Sequence, residues 1–500
     1  MGSWGTVSLS WLDRIWATVG ERGRELIRLP SASVPPLERS CRLAEALLSE
    51  RGEASGTALA HELLTSYSVL DAADRAAFFA FVASHFGPDE ARLTAAATAY
   101  LAEPSAQHAT LLATAAEPPR QELLRRMNMA PGATAALVGI RKEVLALRAT
   151  APALKSFESD LHHVLAAWFN RGFLELRRID WNTPAVILEK LIAYEAVHEI
   201  DGWEDLRRRL GPDRRCFGFF HPTLPGEPLI FVEVALLKGM AGAIAPLLDR
   251  NAPFSAAGEW DTAIFYSISN CQEGLRGISF GNFLLKQVVE ELKTELPRLK
   301  RFATLSPVPS FSKWLMAGLT SEDAPADPSF GQDEEQGLLA AADMPADGDP
   351  SSALRSILES DGWWQNADYV SVLRPLLTRL CAFYLTELRD GKGPGDPVAR
   401  FHLGNGARLE SINWLGNTAP RAMAESFGMM VNYLYDPELI EINHESFAHQ
   451  GSVARSPEVE ALLQSALHIA APAAGANRIG RIVPFARQQK KKPPPESLTE

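Results

Sequence analysis

The sequence predicts an α plus α/β protein: an N-terminal bundle of helices, then a domain in which short strands alternate with helices. Three observations carry this. Up to Arg171, apolar residues recur at helical spacing and strand-like alternation is scarce. After Phe173, short runs of Phe, Val, Ile and Leu appear between turn residues, as in buried strands. The 500-residue length also exceeds what one core of about 250–300 residues accommodates.

In the first region Leu43, Ala46 and Leu47, then Leu63, Leu64 and Tyr67, and later Leu161, Val164, Leu165 and Trp168 share helix faces. Pro35-Pro36, Gly87-Pro88, Pro118-Pro119 and Pro131-Gly132 cut the region into several helices, so residues 1–172 read as a bundle. His162 and His163 have no further ligand type at metal spacing and read as packing or surface residues. Nothing in this bundle resembles catalytic machinery, and it is expected to mediate assembly.

Residues 173–487 form the predicted second domain. Cys216–Phe220 and Leu229–Leu237 read as strands with a Pro/Gly turn at 222–228 between them. Ala263–Ser269 is a strand, Phe283–Leu292 a helix, and Phe302–Leu305 a strand running into Ser306-Pro307-Val308-Pro309. Residues 321–352 are acidic, lack Lys and Arg, and are expected to be a solvated insertion loop. Ser352–Leu388 returns to helical spacing with Trp363 and Trp364 as anchors, and residues 488–500 read as a disordered tail.

Composition narrows the function. A net charge of −12 argues against a protein whose main partner is nucleic acid or an anionic membrane surface. Cys41, Cys216, Cys271 and Cys381 form no CxxC pair, so neither a disulfide framework nor a zinc site is expected. No apolar run reaches the ~18–20 residues of a membrane span, and no secretory signal pattern opens the chain, so a cytoplasmic enzyme is expected. No Cys/His/carboxylate cluster suggests a metal or other cofactor.

The loop Leu275–Leu285 follows a predicted strand and opens a predicted helix. Small residues there present unpaired backbone N–H groups and the positive end of the helix dipole to a pyrophosphate. It resembles the coenzyme-A loop of the GNAT acyltransferase fold, with Arg276, Ser279 and Gly281 at the marked positions and Gly277 between them. Ser279 stands where glycine is usual. A dinucleotide fold is disfavoured, since no Gly-x-Gly-x-x-Gly precedes an acidic residue at the right distance.

Several longer segments resemble the malonyl-CoA decarboxylase family: Phe220–Pro222, Leu224–Ala235, Ala263–Ser269, Leu305–Pro309, Phe401–Ala407, Ile412–Trp414 and Asn432–Tyr435. The resemblance implies a helical oligomerisation domain, building a dimer or tetramer, followed by a GNAT-like mixed α/β catalytic domain. It implies Ser306 and His402 as the catalytic pair, with Ser267 and Tyr435 as supporting residues. Asn405, in the His402 motif, joins Arg276–Gly281 as an expected substrate contact. The implied reaction is decarboxylation of malonyl-CoA to acetyl-CoA, in which the thioester accepts the electrons and no cofactor is needed.

The residues themselves are compatible with this. Ser306 sits at a strand end before Pro307, which fixes the following φ. His402 is expected to transfer protons near neutrality. No Gly-x-Ser-x-Gly elbow carries Ser306, which disfavours a nucleophilic serine. Two alternatives stay open: an acyl-CoA-dependent N-acyltransferase of the same fold, and a non-catalytic acyl-CoA-binding protein.

Overall fold

The computed structural model describes residues 34–169, 171–278, 284–320, 330–388 and 394–469. Helices run over Pro36–Ser49, Glu53–Ser68, Ala72–His85, Glu90–Ala102, Ala106–Ala116, Pro119–Met127, Ala133–Leu147 and Leu154–Trp168. The breaks read from the sequence fall at their junctions. Pro36 and Pro119 take first helical positions, where a missing N–H costs nothing. Side-chain oxygens of Asp71, Asp89 and Ser105 accept from the N–H of Asp74, Arg92 and His108 at 2.8, 2.9 and 3.1 Å, capping three helix starts. Leu43, Leu63, Phe79, Leu123, Leu137, Phe157 and Leu161 meet in one buried cluster. Each such side chain contributes roughly 1.5–3 kcal/mol by leaving water.

The sheet begins with β1 (Glu175–Ile179), β2 (Arg214–Phe220), β3 (Pro228–Leu237) and β4 (Thr262–Asn270), each antiparallel to the one before. The helix Leu284–Glu295 then leads to β5 (Arg301–Thr304), which runs parallel to β4 with Phe265 beside Thr304. A parallel neighbour requires such a crossover, because a tight turn only reverses the chain. The strand Met430–Leu434 lies antiparallel to β5, Leu434 pairing with Ala303. β2 is buried throughout, and β3 nearly so, which is why both read as unbroken apolar runs. The expected architecture, a helical region followed by a mixed sheet with helices, is what the chain adopts.

The described residues divide into two compact units. The first gathers those up to Ser306 with Phe401–Arg408 and Asn432–Ala454; the second gathers Pro307–Arg400, Leu409–Val431 and those from Arg455 on. In the second unit, Phe311, Trp314 and Tyr384 pack together, with the Phe311 and Tyr384 ring centroids 5.7 Å apart.

The acidic segment 321–352 corrects an expectation. It contains the helix Gln332–Ala341 and the start of Pro350–Glu359, while 321–329 lie outside the described residues. Three of the acidic side chains that suggested solvation, Asp333, Glu334 and Glu335, sit in the first turn of Gln332–Ala341, where the helix dipole favours them. Glu334 pairs with Arg379 at 2.7 Å, and Leu338 and Leu339 are buried. The tail 488–500 also lies outside the described residues.

Candidate active site

Three chain segments converge beside the end of β5. Thr304 is locked there from two directions: Asn432 Nδ2 donates to its carbonyl at 2.6 Å, and the Tyr433 N–H donates to its Oγ1 at 3.2 Å. Asn432 also donates to Ala241 O at 3.0 Å. Ser306 follows two residues later. The Tyr435 N–H donates to Phe302 O at 2.7 Å, which continues the pairing and sets the tyrosine beside His402.

His402 rides on the helix Pro397–Gly404. The turn behind it is closed by Asn405, whose Nδ2 donates to Phe401 O at 2.7 Å, and by Gly406 at φ 83°. A Cβ on Gly406 would stand 2.0 Å from Ile440 O, so both the conformation and the close approach require glycine.

These segments build a continuous buried chain of hydrogen bonds. Ser306 Oγ donates to Thr304 Oγ1 at 2.8 Å and lies 3.1 Å from His402 Nε2. His402 Nδ1 lies 2.9 Å from Tyr435 Oη. The Tyr433 ring stacks on the imidazole, centroids 4.6 Å apart at 23°. Ser306, His402 and Tyr435 are 5%, 3% and 1% exposed, so charge developing here would meet fixed dipoles rather than water.

Burial shifts the titrations. His402 loses the hydration that stabilises imidazolium, and its pKa falls to about 3. Burial likewise raises the Tyr435 phenol well above its ordinary value. The expectation of a histidine titrating near neutrality is thereby corrected: His402 is a neutral imidazole at physiological pH.

The other expected site residues are placed differently. Ser267 donates to Glu195, its Oγ lying 2.7 and 2.8 Å from the two carboxylate oxygens. Ser269 Oγ and the Val197 and His198 N–H groups complete that carboxylate's partners at 3.1, 2.9 and 2.7 Å. A register shift in β4 opposite Glu233 and Val234 separates neighbouring roles: Phe265 meets the Tyr435 ring at 6.3 Å, whereas Ser267 meets Glu195. Arg276 is exposed, and Gly277 takes φ 80° beside it. Ser279 and Gly281 lie outside the described residues.

The turn before Arg276 is anchored to the helical region. Arg141 Nη1 donates to Gly274 O at 2.6 Å, and His162 Nε2 lies 3.3 Å from Gly277 O. Reading the sequence missed Thr304, Tyr433 and Glu195. The alternation Thr304-x-Ser306 was a usable signal, because residues two apart on an extended chain face the same way. Glu195 gave none.

Comparison with known proteins adds an independent observation. The family models for the malonyl-CoA decarboxylase N-terminal and C-terminal domains match residues 86–169 and 172–472. The chain is 37% identical over 350 residues to the mitochondrial malonyl-CoA decarboxylase of Anser anser anser, covering 68% of this chain and 69% of that one. It is 31% identical over 481 residues to the mitochondrial malonyl-CoA decarboxylase of Mus musculus, covering 89% and 97%. Among solved structures, the malonyl-CoA decarboxylase of Rhodopseudomonas palustris is similar at 50% identity and a TM-score of 0.76, over 85% of this chain and 99% of that one. That of Agrobacterium vitis follows at 48% identity and 0.74, with the same coverage.

Proposed function

The chain belongs to the malonyl-CoA decarboxylase family and is an enzyme of that activity, and from this we propose how it converts malonyl-CoA to acetyl-CoA and carbon dioxide. In this proposal the bond between the carboxylate carbon and the methylene carbon breaks. Its electron pair passes into the thioester as an enolate, and a proton then returns to carbon. The thioester is the electron sink, so the proposed reaction takes no metal or organic cofactor.

The observation that carries the proposal is the buried chain from Ser306 through His402 to Tyr435. An enolate oxygen held at Ser306 and His402 takes over the hydrogen bonds that Ser306 gives to Thr304 and His402 gives to Ser306 in the resting site, so both donors stand ready where charge appears. A neutral His402 can give up its Nε2 proton to the carbanion, a much stronger base, while Tyr435 supplies a proton at Nδ1. A solvent proton then returns to Nε2 and the Nδ1 proton to Tyr435, which restores the starting form.

The loop from Arg276 to Gly281 is assigned to the coenzyme-A phosphates, supported by its place between β4 and the helix Leu284–Glu295 and by the exposure of Arg276. Asn405 and Ser267 are assigned supporting parts. Asn405 closes the turn behind His402, and Ser267 holds Glu195. Residues 1–172 are assigned to assembly and 173–487 to catalysis.

Incubating the purified chain with malonyl-CoA should release carbon dioxide and acetyl-CoA without any amine acceptor; a strict need for an acceptor would favour the acyltransferase reading instead. Ser306→Ala should lower kcat by about 10²–10³, the usual cost of one oxyanion donor. His402→Ala should lower it by about 10²–10⁴. The double variant should lose less than the product of the two, since both groups act on one developing charge. A folded single variant with near-normal kcat would remove that residue from the mechanism.

A further inference from the structure

Ser306 has one proton to place and two neighbours to satisfy. The geometry at Thr304 has Ser306 as the donor, at 2.8 Å, which turns a serine lone pair toward His402 Nε2 at 3.1 Å. A lone pair facing a bare imidazole nitrogen would be repulsive, so Nε2 must carry the hydrogen. A neutral imidazole holds only one, so Nδ1 is then an acceptor, and its partner at 2.9 Å, the Tyr435 hydroxyl, is the donor. Every direction in the chain thus follows from the first.

We propose that Thr304 is a positioning residue for the reaction: by accepting the Ser306 proton it fixes His402 as the Nε2–H tautomer, the form that presents a proton to the substrate side. The inference rests on the reading of Ser306 and His402 given above. Thr304 touches neither substrate nor reacting atoms and acts only through Ser306. It suits the task because it cannot easily reorient. Its side chain is wholly buried and β-branched, its carbonyl is held by Asn432 and its Oγ1 by the Tyr433 N–H. The low pKa of His402 agrees, since a tautomer is defined only while the ring is neutral.

Removing the acceptor reverses the chain. In Thr304→Val the shape is kept but Ser306 loses its acceptor, so its hydroxyl turns to donate to Nε2, and the ring takes the Nδ1–H form, donating to Tyr435. The proton is then on the wrong nitrogen. Thr304→Ser keeps the oxygen and should keep the tautomer.

Nitrogen-15 NMR of histidine-labelled protein reads this directly, with the His402 signals among the 11 histidines identified by their loss in His402→Gln. The wild-type chain should show a protonated Nε2 and a bare Nδ1 at neutral pH. Thr304→Val should exchange the two and lower kcat by about tenfold to a hundredfold with KM little changed, a smaller loss than deleting a donor outright. Thr304→Ser should restore both readouts. A wild-type ring protonated at Nδ1 overturns the inference even if the valine variant does not fold, as does a folded Thr304→Val that keeps Nε2–H and normal kcat. If the wild-type chain releases no carbon dioxide from malonyl-CoA, the functional reading fails separately, and the tautomer measurements still decide the assignment of Thr304.

Discussion

At the residue scale, His402 shows how burial sets both chemistry and stability. Its folded pKa of about 3 lies well below the value of about 6.5 it takes in an unfolded chain. Between those values the unfolded chain binds a proton that the folded one refuses, so acid favours unfolding. The sign is therefore a stability present in full above about pH 6.5 and lost at about 1.4 kcal/mol per unit as pH falls toward 3. From pH 7 to pH 5 the wild type should lose about 2 kcal/mol more than His402→Gln, measured by urea denaturation of both proteins. Equal losses would show that the ring is hydrated and titrates normally. Over the range pH 6–9, kcat should carry no limb belonging to His402. The sequence displayed the pair Ser306 and His402 through family motifs, but not this property, because solvent exclusion comes from side chains far away in the chain. Tyr433 was illegible for a related reason, and Thr304 showed only through its alternation with Ser306: each matters through contacts made across segments, the Ser306–His402 link itself spanning 96 positions.

At the scale of elements, the turn ahead of Arg276 ties the proposed coenzyme loop to the helical region, to which no catalytic group is assigned. A Cβ at Gly274 would lie 1.9 Å from Val138 O in the helix Ala133–Leu147, a distance no backbone tolerates, so Gly274→Ala must push the turn off that helix. Arg141 would lose its 2.6 Å bond to Gly274 O while its 2.8 Å ion pair with Glu158 remained. Gly274→Ala should then raise KM for malonyl-CoA several-fold and leave kcat near its starting value, if the displaced loop holds the coenzyme and not the reacting carbon, as proposed. Arg276→Ala should do the same by removing the charge alone. Steady-state kinetics on both variants decide the matter: a fall in kcat at unchanged KM would place the loop at the reacting centre. Helix junctions and buried strands were legible because Pro, Gly and apolar runs carry their own local physics. The helix Gln332–Ala341 was not, because its acidic first turn resembles a solvated loop until the partner Arg379 is known.

At the scale of the whole molecule, the first compact unit draws on three stretches of chain, so the candidate site is complete only after residues beyond 400 have returned to it. The catalytic assignments use little of the region before residue 172, and one part of that region is conspicuously unsatisfied. The helices Glu90–Ala102 and Ala106–Ala116 pack on each other, and of their described residues only Ala115 is buried. Both are rich in Ala and Leu, with Leu101 and Leu111 79% and 52% exposed. A hairpin of that composition left in water gains little from folding, whereas apposing it to another copy of itself removes apolar surface from both copies and is self-complementary under two-fold symmetry. The hairpin is therefore where the expected assembly of the helical region is put to the test. Sedimentation of the full chain at micromolar concentration should show an oligomer, and Leu101→Asp with Leu111→Asp should dissociate it, because an interface cannot bury two unpaired carboxylates. Both substitutions lie on solvent-facing positions of the isolated chain, so the variant should keep its circular dichroism spectrum. A wild-type monomer, or a doubly substituted chain that sediments unchanged, would show that the hairpin holds no partner copy.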